Sequence, residues 1–463
     1  MSTVDAFHLP GLDLDGHTEW TNLEYGDVAL RVPVLEPEHV ARLAHSLLEA
    51  REHELARRAV PDIIAAVDSA AARLRTGPLR EMAEASLPAV ARYSPAMAQL
   101  VLDRMSADWG APALLRLLKA ELGNAAVLDR FVPDADTDRE VHALGPDLAF
   151  HVFAGNVPGV AVTAAIRSLV VRAAVLAKTA ADEPLLPALF ARALAEVDPG
   201  LGSCIAVTYW PGTRDDLNAA AAGAADAVVV YGGDEAAGAM QRLVTPGTRF
   251  VVHGPRVSFG MVGREADAGT AGRVARATAI FDQHGCVSPH VVYVEQGGDA
   301  TPGEFAENVA DRLEALEAEL PRGPVSPAEA AAIQQVRGGA EFRQLAGRDV
   351  RVLAGSGTRF TVIFDDDVSF TPSCLNRTLW VKPVAQLEDV PEHLRPFRRF
   401  LQSAAIAGAG PRLHDLAIQL ARLGVARITD FDKLPWPPME WHHDGHGPLR
   451  ELLRWTDLDA RGR

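Results

Sequence analysis

The 463-residue chain carries three cysteines, at 204, 286 and 374, with no CxxC pair among them. Such scattered thiols read as neither a disulfide framework nor a cysteine zinc site, so each is judged by its surroundings. Cys204 opens the strand-like SCIAVTYW, where a thiol behaves as a small, inert hydrophobe. Cys286 lies in FDQHGCVSPH, directly after a glycine and just before the strand-like VVYVE. A thiol on such a turn can face a cleft, with its thiolate favoured by nearby donors, which is what a nucleophile requires. An inert turn cysteine would carry the same local pattern. The flanking His284 and His290 offer acid–base chemistry, although no spacing rule selects either.

Further candidates fall where strands give way to helices. FAGNVPG contains Asn156, whose amide could donate to a developing oxyanion, worth about 3 kcal/mol if preorganised. A helix cap or turn asparagine would look the same. AKTAADEP ends a strand with Lys178 and Thr179, and a lysine there can reach a ribose or phosphate as a point charge. VYGGDEAAG places Gly232, Gly233 and Gly238 where backbone could approach a pyrophosphate at a positive helix end. Ordinary turns use the same residues, and the GxGxxG dinucleotide fingerprint is absent. WHHDGHGPL gathers His442, His443, Asp444 and His446, but adjacent histidines lack the i, i+4 spacing that aims two imidazoles at one ion. It is expected to be a structural tail segment, with no metal.

Something must position these side chains, and the periodicity indicates what. Residues 37 to about 130 show apolar positions at three- and four-residue spacing, the helical signature, and 132–149 reads as an extended arm or hairpin. From Leu148 the chain alternates strand and helix: LAFHVFAG, AAVLAK, SCIAVTYW, ADAVVVYG and TRFVVHG are strands with helices between. That alternation predicts a doubly wound parallel sheet with ligands at the carboxyl ends of its strands. VSFGMVG, CVSPHVVYVE, RVLAG and FTVIFDD, with two long helical stretches, suggest a second α/β domain over 254–425. The Pro- and Trp-rich tail looks built to pack on another surface or subunit.

A net charge of −16 argues against nucleic acid as a partner. The N-terminal residues lack a basic and an apolar signal region, and the most apolar run contains Arg167 and Arg172. A secreted or membrane-spanning protein is therefore not expected, and a cytoplasmic location is.

Taken in order, HVFAGNVPG, VLAKTAADEPLLPALFARALAEVDP, AVTYWPG, ADAVVVYGGDEA, GTRFVVHGPRVSFG, FDQHGCVSPHVVYVE and WHHDGHGPLRELLRW resemble the aldehyde dehydrogenase superfamily. Within it they are most similar to the LuxC-type fatty acyl-CoA reductases, from about residue 140 to the end. The resemblance implies an α/β fold with a doubly wound cofactor domain (1–131 and 150–253), a second α/β catalytic domain (254–425) and an extended oligomerisation arm. That arm and tail are 132–149 and 426–463. It implies Cys286 as nucleophile and Asn156 as oxyanion donor, with the Cys286 backbone N–H as the second donor. Lys178 and Thr179 would lie at the adenosine ribose, and Gly232, Gly233 and Gly238 near the pyrophosphate.

The implied activity is NADPH-dependent reduction of an acyl-CoA, fatty by resemblance, to the aldehyde through an acyl-cysteine. An acyl-carrier-protein thioester is the alternative donor, and a homo-oligomer, dimer or tetramer, is expected. Hydrolytic members of the superfamily carry a glutamate that activates water; the matching stretch here, VVHGPRVSFG, has His253 and no carboxylate. Their ribose-gripping glutamate is matched by Leu379 in TLWVKPV. NAD-preferring relatives often have an acid where Ala181 stands, so a 2′-phosphate meets less repulsion, although Asp182 and Glu183 follow. The rival readings are an aldehyde dehydrogenase that forms acids and a catalytically silent binding protein on this fold. The acid–base residue is left open among His253, His284, His290 or none.

Overall fold

Five strands that are apolar along nearly their whole length form the first sheet, in the order Ile205–Tyr209, Ala174–Thr179, Leu148–Val152, Ala227–Tyr231, Arg249–His253, all parallel. Both faces must be covered for such strands to be stable, and helices cover both. In this computed structural model, which describes residues 2–14, 18–134 and 137–459, Val60–Arg75 and Leu185–Val197 pack one face through Ile63, Val67, Leu189 and Phe190. On the other face Val40, Leu43 and Leu47 of Pro37–Ala50 meet Phe150 and Leu176. Each such fully buried side chain stabilises by about 1.5–3 kcal/mol. Chain order across the sheet reads 3-2-1-4-5, so the switch point lies between Leu148–Val152 and Ala227–Tyr231.

The second sheet has seven strands, in the order Val350–Ala354, Thr361–Asp365, Thr378–Val384, Pro289–Glu295, Val257–Val262, Leu401–Ala407, Arg427–Thr429. All pairs are parallel except the edge pair between Val350–Ala354 and Thr361–Asp365. Only Gly254, Pro255 and Arg256 separate the end of the first sheet at His253 from the start of the second at Val257. The carboxyl ends of the first sheet therefore face the amino ends of the second, and the candidate site lies at that junction.

A third sheet, Arg454–Asp459 with Arg139–Leu144 and Val132–Pro133, is antiparallel and joins the predicted hairpin to the last strand. Residues 135–136 of that hairpin and 460–463 of the tail lie outside the described residues, as do 1 and 15–17. The tail does not behave as one arm. Pro435 to His443 fold back along the junction, and only Arg454–Asp459 extends into the third sheet. Unforeseen is an N-terminal sheet in which Val28–Pro33 pairs with Ser2–Asp5 and Trp20–Tyr25. Among the described residues, no helix is long and apolar enough to cross a membrane.

Candidate active site

The turn before Cys286 is unusual in its backbone. Phe281, Asp282 and Gln283 hold φ of 56°, 48° and 70°, three successive non-glycine residues in the left-handed region. Each costs about 1–3 kcal/mol unless tertiary contacts impose it. Leu375, Asn376 and Arg377, also left-handed, brace it. Arg377, fully buried, donates to Asp282 Oδ1 at 2.8 Å and to Glu317 at 2.6 Å. Gln283 accepts from the Thr378 N–H at 2.8 Å and donates to the Pro289 and Thr378 carbonyls at 2.7 and 2.8 Å. The strand Pro289–Glu295 then begins, leaving Cys286 at the amino edge of the second sheet.

Two clefts flank that turn. One, of about 760 Å³, has apolar walls from Met105, Val157, Val160, Phe281, Trp436 and Met439, with Cys286 and His443 in its lining. The other, of about 660 Å³, is polar and includes Asn156, Asp182, His284 and Asn376. Burial, then the negative charge of Asp444, pushes the Cys286 thiol up to about 11, so the sulfur is protonated at neutral pH. The expectation of a thiolate favoured by donors therefore needs correction: Gln402 and the Cys286 N–H do favour it, but desolvation outweighs them. Gln402 reaches the thiol from the strand Leu401–Ala407, where it is fully buried.

Asn156 comes to the cysteine turn from the first sheet's switch point, but on the polar side. Its Nδ2 donates to the His284 carbonyl at 3.0 Å, which uses one of the amide's two N–H groups and leaves the other for an oxyanion. Lys178 is the penultimate residue of its strand, beside Val152, buried, with no hydrogen-bond or ion-pair partner among the described residues, and burial lowers it to about 8. A buried ammonium lacking a carboxylate fits a site that receives a ribose or phosphate. Thr179 is turned inward, its hydroxyl donating to the Thr208 carbonyl at 3.3 Å. Gly232 and Gly233 lead into the helix Asp234–Gln241, which contains Gly238. A Cβ added at Gly233 would meet no atom within 4 Å, and at Gly238 none nearer than 3.9 Å, so packing inside the chain does not require glycine at either. Asp234 and Glu235 already occupy that helix's first turn, which weakens the positive end expected to meet a pyrophosphate. Leu379 points into the second core, where it cannot touch a ribose.

The HHDGH segment is where the sequence said least and the structure says most. Asp444 (φ 55°) and Gly445 (φ 85°) form a tight turn closed by His446 N–H to the His443 carbonyl at 3.0 Å, the Asp-Gly pattern of a primed hairpin turn. That turn sends the Asp444 carboxylate inward. Its Oδ2 lies 3.1 Å from His253 Nδ1, and Arg256 donates to Oδ1 at 2.8 Å. His443 stacks between His253, at 4.4 Å, and Trp441, at 4.7 Å. His253, His443 and Asp444 offer ligand atoms within 4.8 Å of one another. Face-to-face rings and a carboxylate shared with Arg256 suit an ion-paired stack better than a cation site. Of the histidines considered from sequence, His290 Nδ1 accepts from the Ser373 N–H and His284 Nε2 pairs with Asn376, both away from the apolar cleft.

This arrangement of sheets is that of the aldehyde dehydrogenases. Aldehyde dehydrogenase 21 from Physcomitrella patens matches with a TM-score of 0.78 at 13% identity, over 99% of this chain and 98% of that one. A benzaldehyde dehydrogenase from Corynebacterium glutamicum gives 0.73 at 17% identity, over 98% and 99%. The NADP-dependent glyceraldehyde-3-phosphate dehydrogenase of Bacillus halodurans, complexed with NADP, gives 0.73 at 16%, over 96% of each chain.

Residues 55–455 match the family described as acyl-CoA reductase (LuxC), and the chain belongs to that family. Relatives include the long-chain acyl-protein thioester reductases of Aliivibrio fischeri, 27% identical over 77% of this chain and 74% of that protein, and Vibrio harveyi, 25% identical over 79% and 75%. The chain is thus an oxidoreductase of the thioester reductase kind on an aldehyde dehydrogenase fold.

Proposed function

We propose that this chain reduces a fatty acyl thioester to the aldehyde with NADPH, the acyl group passing through Cys286. The observation that carries the reading is the position of Cys286 on a braced turn, between a cleft with apolar walls and a polar cleft at the first sheet's switch point. The Cys286 sulfur attacks the thioester carbonyl, the donor thiol leaves, and the acyl group remains on the enzyme. Asn156 Nδ2, through the N–H not bonded to His284, and the Cys286 backbone N–H stabilise the oxyanion. A nicotinamide cofactor, held by Lys178, would supply the hydride that takes the acyl group to the aldehyde level. The substrate is an acyl-CoA, with an acyl-carrier-protein thioester presenting the same reactive group.

Lys178 would hold the cofactor's adenosine end, with the Gly232, Gly233 and Gly238 segment near its pyrophosphate. The preference for NADPH gains support from Glu183. It is buried, accepts the Leu186 N–H at 2.7 Å, and burial pushes it up to about 8, so it brings little negative charge to a 2′-phosphate. Tyr25 donates to the Ala181 carbonyl, fixing the stretch where related chains carry an acid. Subunits would pair through Arg454–Asp459, a six-residue strand exposed along its length with one open edge.

With a fatty acyl-CoA and NADPH, the expected products are aldehyde and free CoA in equal amounts. Accumulation of carboxylic acid from aldehyde without CoA would instead establish an acid-forming dehydrogenase. Comparing kcat/KM for NADPH and NADH tests the cofactor, and a strong NADH preference would defeat that part.

A further inference from the structure

His443 separates two spaces. It lines the apolar cleft together with Cys286, and it lines a smaller chamber of about 340 Å³ with His151, Arg167, Tyr231, His253 and Glu451. Two buried donor or acceptor atoms in that chamber's lining residues, His151 Nδ1 and Arg167 Nε, have no partner among the described residues. Buried polar atoms of this kind are normally met by water. Trp441 and His253 grip the His443 ring from both faces, and its Nε2 lies 3.8 Å from Asp444 Oδ1. Among the described residues, His443 is the one imidazole in the cleft that also contains the Cys286 side chain.

We propose that His443 is the proton carrier for Cys286, an additional catalytic residue whose role rests on Cys286 being the acyl carrier. As the Cys286 sulfur bonds to the thioester carbon, the proton on that sulfur moves to His443. When the thioester C–S bond breaks, His443 returns the proton to the departing sulfur. One S–C bond forms, one breaks, no electrons are gained or lost, and a free thiol leaves. Asp444 stabilises the imidazolium while it exists, and His253, bonded to the other carboxylate oxygen, keeps that carboxylate in place.

The resting electrostatics hold the proton on the sulfur, so the transfer must be concerted with S–C bond formation, which makes the S–H acidic. A thiol pushed up to about 11 needs a proton acceptor at neutral pH. Burial and His253 hold His443 down to about 3, so its ring is neutral but weakly basic, and Asp444 must offset that burial as the proton arrives. The charged or titratable groups facing it are His253, Asp444, Arg167, Arg256, Tyr231 and Glu451, and Asp444 is the one that favours the protonated ring most strongly.

The test is acyl loading in a single turnover, without reductant, using the member of a C4 to C16 acyl-CoA panel that loads the parent enzyme fastest and reading intact mass from about pH 7 to pH 10. His443→Gln is expected to load about a hundredfold more slowly at neutral pH. The deficit should shrink toward pH 10, where the thiol begins to ionise unaided. His443→Ala should regain loading when imidazole is added. Parent-like loading by both variants at pH 7 would overturn the proposal. So would a deficit that neither pH nor imidazole changes, which would mark a purely structural role. Cys286→Ala separates the two layers: if it still loads, or if no panel member loads the parent, the acyl-carrier reading fails first and takes this one with it.

Discussion

The Ser258 hydroxyl donates to the Cys286 carbonyl at 2.8 Å while accepting from the Ser403 backbone N–H at 3.1 Å. Both ladders of the Val257–Val262 strand slip in register at this point, against Pro289–Glu295 and against Leu401–Ala407. The side chain thus fills a gap in the backbone ladder and ties the nucleophile's turn to the sheet edge. In Ser258→Ala the buried Ser403 N–H loses its acceptor, at a cost of about 1–3 kcal/mol. Because Ser258 positions the nucleophile and does not touch substrate, kcat should fall by about tenfold to a hundredfold with KM for the thioester little changed. Ser258→Thr, which keeps the hydroxyl, should restore most of it. A variant whose KM rises while kcat holds would contradict this role.

Arg377 and Asp282 make the second constraint on that turn. The arginine is fully buried, and its loss would leave Asp282 without its guanidinium partner beside three left-handed residues. Arg377→Met should destabilise the protein by about 3–5 kcal/mol, measured by urea unfolding. A loss below about 1 kcal/mol would mean that the turn is held by other contacts.

Glu183 gives a pH signature. Its folded value of about 8 exceeds the ordinary 4.5, so the folded chain retains this proton where the unfolded chain has released it. Between those values the folded state binds more protons, and stability falls as pH rises. Glu183→Gln preserves an acceptor for the Leu186 N–H and removes the titration. The variant's Tm advantage should therefore be larger at about pH 8 than at about pH 5. An equal difference at both would contradict the burial argument.

Much of this was legible before any coordinates, because strand–helix alternation is a local property of the chain. AVLAKT and AVVVY are apolar enough to declare buried parallel strands, and HGCVSPHVVYVE placed the thiol before one. The apolar cleft and its histidine stack were not legible, because they are long-range: His253 and Asp444 meet across 191 residues. Adjacent histidines failed a helical spacing test that did not apply, since the segment is a turn; Asp444-Gly445 was the available signal. The N-terminal sheet was missed for a simpler reason. Trp20–Tyr25 and Val28–Pro33 are separated by Gly26-Asp27, a two-residue hairpin signal overshadowed by the helices that follow. Gln402 carried no sequence signal at all, since it is a polar residue in a buried strand and only its neighbour, Cys286, gives it meaning.

Acyl capture on a single sulfur is the claim from which the rest descends. Intact-mass and peptide mapping after incubation with the acyl-CoA panel, without reductant, tests it directly. One acyl group should appear on the parent protein, map to the peptide containing residue 286, and vanish in Cys286→Ala together with acyl-CoA-dependent NADPH consumption. Loading on Cys204 or Cys374, or NADPH consumption that survives in Cys286→Ala, would contradict it.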